Sequence, residues 1–222
     1  MNILVRYKDV LIETLKENKK MIAIFTAMYF IIAIATYFFA NSVITSNYAQ
    51  FHSTRRPNLN VIGEGKTALD LFLNNSRSVV LSYIGGIFFG LLSIFSLIVN
   101  AFALGSQTAS FGFIQAGGSL RFIAYLIPHG IFEITGTILE TVAGVILFKF
   151  IWRFLKGLSN SEEAGFKEKL SESYQNNRQI LIQSFALMIF CIILMAIAAP
   201  IEYYISKAFC NLILGPDPGF LI

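Results

Sequence analysis

Apolar blocks of about 20 residues, the length that crosses a bilayer as a helix, alternate with short polar stretches along this chain. The first block, residues 21–40, carries no charge. A second runs over 79–103, with Ser82, Gly86, Gly90, Ser93, Ser96 and Asn100 on one face at helical spacing. Gly86 and Gly90 form a small-xxx-small pair, which lets membrane helices approach closely. A third, weaker block over 107–127 is interrupted by Gln115, Gly117-Gly118 and Arg121. Such backbone is tolerated at membrane depth only where protein or water covers its polar groups, so this block is expected to cross broken or to re-enter. The fourth and fifth blocks span 128–152 and 179–206, and Pro200 is expected to kink the last.

The pattern predicts an all-α polytopic membrane bundle of about five spans, one integral membrane domain over 1–222, with amphipathic helices at its surface. Residues 1–20 place Ile3, Leu4, Tyr7, Val10, Leu11, Thr14 and Leu15 on one face, with Arg6, Lys8, Lys16, Lys19 and Lys20 mostly elsewhere. That suits a basic helix on the membrane surface, or equally an ordinary helix packed on the bundle. Residues 67–73 read as a short helix after a hydrophilic loop. Asn160 and Glu163 read as a capping box before a surface helix carrying Phe166, Leu170 and Tyr174.

Composition agrees: 55% of residues are hydrophobic and 14% charged, more apolar surface than one soluble domain of this length needs. The net charge of +4 reflects basic residues beside the spans rather than a nucleic-acid surface. Five lysines and arginines lie in the N-terminal segment and five in 153–178. With five crossings both segments share one side, which puts the N-terminus in the cytoplasm. Cys191 and Cys210 suggest neither a disulfide nor a zinc site, so no cofactor is expected.

Candidate chemistry gathers on the fourth block. With Pro128 in a first helical turn, His129, Glu133, Gly136, Thr137, Glu140 and Gly144 fall on one stripe, and Ile131, Ile138, Leu139, Val142 and Val145 cover the side expected to face lipid. A charge near the bilayer centre costs about 2.5–3.5 kcal/mol on the lenient scale, so these carboxylates should face a partner or a cavity. His129 and Glu133 are spaced to chelate a metal, but a catalytic zinc wants a third ligand, and His52 lies in a distant loop. No metal site and no catalytic residue is assigned. Three structural readings stand. His129 caps the helix near the membrane boundary, Glu133 accepts from backbone N–H groups near Gly117-Gly118, and Arg121 pairs with Glu133 or Glu140. Asn100 should find a partner inside the protein.

The strings Asn74-Asn75-x-Arg77, Asn100-x-x-x-Leu104-Gly105 and Pro128-His129-Gly130-Ile131-Phe132-Glu133, in that order, resemble the stage II sporulation protein M family over residues 71–152. The resemblance implies a multi-pass membrane protein. The family's namesake acts in a membrane complex with cell-wall hydrolytic partners during spore engulfment, and members also occur in organisms that make no spores. Two roles follow as expectations. One is a non-catalytic envelope component that positions other membrane or envelope proteins. The other is a channel or transporter using Glu133 and Glu140 as a homo-oligomer, with the Gly86/Gly90 face serving either that contact or packing within the chain.

Overall fold

A computed structural model describes residues 3–46, 67–160 and 165–216. Among them every regular element is helical: α1 (Ile3–Glu17), α2 (Lys19–Ser46), α3 (Ala68–Gly85), α4 (Leu91–Ile114), α5 (Gly118–Asn160), α6 (Phe166–Ile201), a π-helical turn (Glu202–Ser206) and α7 (Lys207–Leu214). Four helical stretches are long and apolar enough to cross a membrane: Lys19–Ser46, Leu91–Ile114, Gly118–Ser159 and Phe166–Leu214. The protein is a polytopic helical membrane bundle. His52, the 160–163 capping box and the tail beyond Pro216 lie outside the described residues.

Helix boundaries depart from those read along the sequence. Residues 79–103 are not one helix, because α3 ends at Gly85 and α4 starts at Leu91. Between them Phe89 and Gly90 take positive φ (57° and 68°), and two adjacent glycines make a poor helix interior. Ser93 Oγ donates to the Ser82 carbonyl at 2.8 Å, so the two helices fold back on each other. The interruption expected within 107–127 is present as a turn between two helices. Helix α4 runs on to Ile114, the chain turns at Gln115–Gly117, and α5 continues through Pro128, which stands inside the helix rather than in its first turn. Gly117, at φ 77°, makes that turn, and Ser119 Oγ donates to the Thr108 carbonyl at 2.7 Å. Helix α3 starts where the short helix over 67–73 was expected, on a capping box, and runs on through 74–85. Thr67 Oγ1 accepts from the Asp70 N–H and Asp70 Oδ2 from the Thr67 N–H, so two amides at the helix start are satisfied.

The chain divides into two compact units. Unit 1 comprises Met1–Thr26, Arg77–Leu97 and Gly136–Ile193; unit 2 comprises Ala27–Ser76, Ile98–Thr135 and Leu194–Ile222. In unit 1, Ser184 Oγ donates to the Ala143 carbonyl and Ser173 Oγ to that of Phe154. Equal steps in opposite directions make α5 and α6 antiparallel and in register. Helix α1 packs on α6, where Tyr7 donates to the Ala186 carbonyl and Gln183 to Glu17. Ten residues of α1, about 15 Å, thus meet three of α6, about 4.5 Å, so α1 lies across α6. Ile3 and Leu4 remain exposed.

From Ile138 to Leu147, α5 is buried nearly all round: Leu139, Val142, Ala143 and Ile146 sit in the core of unit 1. The apolar side expected to face lipid is covered by protein there, while Ile131 is 62% exposed. Gly86 and Gly144 let backbones touch, since a Cβ on Gly86 would stand 2.6 Å from the Gly144 Cα. In unit 2, Gly105 plays this part between α4 and α2, facing the Ala33 carbonyl and Thr36.

Gly86→Val should therefore force α3 and α5 apart and lower stability by about 1–3 kcal/mol. The check is thermal unfolding in detergent, and an unchanged Tm would refute the close approach.

Candidate functional site

The stripe on α5 divides between the two units. In unit 2, Asn75 of α3 donates its Nδ2–H to Glu133 Oε1 at 2.6 Å. The Tyr29 phenol of α2 and the Glu202 carboxylate of the π-helical turn lie within electrostatic reach of the same carboxylate. A polar cluster thus joins α2, α3, α5 and the π turn. Glu133 does not accept from backbone N–H groups near Gly117-Gly118. On the continuous helix α5 those groups are about 22 Å away along the axis.

His129 is 3% exposed, one turn before Glu133. Its Nδ1 lies 2.8 Å from Ser206 Oγ, and Ser206 donates to the Ile201 carbonyl at 3.2 Å. With its one hydrogen committed there, the Ser206 hydroxyl accepts from His129, which assigns the proton to Nδ1. His129 therefore ties α5 to the π turn and caps no helix end. Its ring meets Tyr125 edge-on, with centroids 5.3 Å apart. With His129 turned to Ser206 and Glu133 to Asn75, the i, i+4 pair does not converge on one point. Among the described residues no group of three His, Cys, Asp or Glu side chains could hold a metal ion.

Arg121 pairs with neither carboxylate. It stands on the same helix as both, about 18 Å from Glu133 and farther from Glu140. Its Nη1 and Nη2 donate to the carbonyls of Gly215 and Leu214, each at 3.0 Å. That satisfies acceptors at the end of α7 and places a cation at a helix C-terminus. Asn100, Asn74 and Arg77 are exposed.

In unit 1, Glu140 is 1% exposed. The Ser82 hydroxyl of α3 lies beside it, yet neither Ser82 Oγ nor Glu140 Oε1 has a partner with full hydrogen-bond geometry. Around them the polar groups pair across helices. Thr141 Oγ1 donates to the Thr137 carbonyl at 2.9 Å and reaches the Ser93 carbonyl at 3.3 Å. Tyr83 donates to Ser184 Oγ, which donates on to the Ala143 carbonyl, both at 2.9 Å. Ser93 packs against Gly144, and Gly90 against Val145. The atoms nearest a Cβ on Gly130 belong to the Leu126 side chain, one turn earlier in its own helix. Both cysteines are buried and free, Cys191 in unit 1 and Cys210 in unit 2.

Sequence reading left Tyr29, Glu202 and Ser206 out of the site. Glu202 and Ser206 stand at helical spacing, a signal present in the sequence, whereas nothing local connects Tyr29 to Glu133.

A family model described as stage II sporulation protein M matches residues 21–207. That is wider than the 71–152 stretch carrying the motif strings. An uncharacterized protein of Methanocaldococcus jannaschii is 30% identical over 145 residues, covering 65% of this chain and 73% of its own. No solved structure matches.

Asn75→Leu should leave Glu133 Oε1 without its donor and lower stability by about 1–3 kcal/mol. Asn74→Leu, on an exposed neighbour, should stay within about 0.5 kcal/mol of wild type. Unfolding of both variants in one detergent checks the contrast, and equal effects would refute it.

Proposed function

The chain belongs to the stage II sporulation protein M family, and from that premise we propose that it is a non-catalytic membrane component that positions partner proteins in an envelope assembly. The observation carrying this reading is the Asn75–Glu133 bond. The most conspicuous polar group on the apolar helix α5 is engaged in joining helices. His129–Ser206, Tyr83–Ser184 and Thr141–Ser93 have the same character. Polar side chains used this way stiffen a bundle, and a stiff bundle can hold partners in fixed relation.

The N-terminus lies in the cytoplasm in this reading. Among the described residues every Lys and Arg except Arg121 and Lys207 belongs to unit 1, and cytoplasmic segments carry the excess of such residues. The partners are other membrane or envelope proteins, and the bilayer itself is the solvent of the outer helix faces.

A second reading, an oligomeric channel or carrier for a small solute or ion, is favoured by one observation. Glu140 is buried with an unpartnered oxygen, which is how a binding group waiting for a ligand would look.

The two readings separate in proteoliposomes. A scaffold shows no flux in either form, while Glu133→Gln lowers its thermal stability or its yield in complexes cross-linked in native membranes. Wild-type flux abolished by a folded Glu133→Gln or Glu140→Gln protein would overturn the scaffold reading.

A further inference from the structure

Glu140 presents a problem of charge that its surroundings do not solve. The carboxylate is 1% exposed, and α3, α4 and α6 pack around it through Ser82, Ser93 and Cys191. None of these helices brings a basic residue near. The sequence holds no charge between Arg77 and Arg121, and none between Arg178 and Glu202. On α5 itself the next cation is Lys149, exposed and about 13 Å along the axis. The described basic residues of α1 and the start of α2, namely Arg6, Lys8, Lys16, Lys19 and Lys20, are all exposed. Among the described residues a titratable group beside it is the Cys191 thiol, which cannot neutralise a carboxylate. An isolated carboxylate in so apolar a place is strongly disfavoured unless a proton or another cation joins it.

The same spot holds a second unanswered oxygen. Ser82 Oγ is buried in a residue 8% exposed, and it lacks a partner just as Glu140 Oε1 does. The two are held together by bonds that use neither atom. The Ser82 carbonyl takes the Ser93 hydroxyl, and the Ser93 carbonyl takes that of Thr141, the residue after Glu140. Gly86 and Gly144 keep the surrounding backbones close. A carboxyl oxygen and a hydroxyl oxygen thus lie side by side, neither with a complete hydrogen bond. That is the start of a hard-cation site, since hard ions take oxygen ligands and complete their shell with water.

We propose that Glu140 Oε1 and Ser82 Oγ bind a small monovalent cation of the sodium class within unit 1. The ion supplies the missing positive charge and links α3 to α5. This goes beyond the scaffolding role and requires no movement of the ion across the bilayer.

The test uses the purified full chain in detergent, with NaCl exchanged for choline chloride or KCl at constant ionic strength and pH. Tm should rise with Na+, by roughly 5 °C or more at about a hundredfold excess over Kd, as a ligand bound only by the folded state requires. Radioactive sodium should bind the wild type at one ion per chain. Glu140→Gln and Ser82→Ala should each lose the Na+-dependent rise. Should either variant fail to fold, sodium binding to the wild type decides. Stability that varies with pH but not with Na+, or equal responses to sodium and choline, would overturn the proposal. Because the readout is binding and not flux, its failure leaves the scaffold reading standing.

Discussion

A polar side chain on an apolar helix must be answered by another helix, because neither lipid nor a packed core will answer it. That requirement fixes how these helices meet. Asn75 reaches Glu133 from α3, Ser206 reaches His129 from the π turn, and Ser184 stands between Tyr83 and the Ala143 carbonyl. Each bond holds in one register. Turning a helix by one residue swings a side chain about 100° and strands both partners. Apolar contacts around α5 could slide past one another with little penalty, but these pairs cannot.

Close approach is the second condition, and glycine provides it. Thr141 can reach the Ser93 carbonyl because Ser93 lies directly on Gly144, and α3 comes near enough because Gly86 meets the same backbone. The two requirements reinforce each other. Small residues bring backbones within hydrogen-bonding range of hydroxyl side chains, and those hydroxyls then hold the approach that dispersion alone would hold weakly. Burial of α5 from Ile138 to Leu147 is the outcome: it is the central helix of unit 1, not a lipid-facing one.

What the sequence conveyed follows from how far each signal reaches. Apolar runs are local, so the helical membrane class and most helical stretches were legible, and the ordered motif strings pointed to the family. The bend between α3 and α4 was not, because Ile87, Phe88 and Phe89 are as apolar as the helices they join and Gly86/Gly90 reads equally well as a packing pair. Pro128 misled in the opposite sense. Its preference for a first turn is genuine, yet it stands inside α5, as proline often does in membrane helices. Once α5 is seen to be continuous, Arg121 is too far from either glutamate, and its placement on the Leu214 and Gly215 carbonyls depends on where a distant segment ends. The Thr67/Asp70 capping box was in plain view, but the polar Asn74–Arg77 run parted the short helix over 67–73 from the second apolar block.

Glu133 and Glu140 look alike on a helical wheel and differ in kind in the fold. Glu133 is half-buried and has an amide donor from another helix, which accounts for it as a structural fastening. Glu140 is fully buried, faces a hydroxyl that makes no complete bond, and has no cation nearby among the described residues. Stability alone does not explain such a residue. Buried ionic groups replaced by well-packed apolar ones of similar volume often leave a protein as stable or more so, by about 1–4 kcal/mol. A leucine at position 140 would remove the unanswered carboxyl oxygen, leaving only the Ser82 hydroxyl without a complete bond. The carboxylate makes physical sense if the folded chain is not the whole of the folded state, and a bound cation completes it.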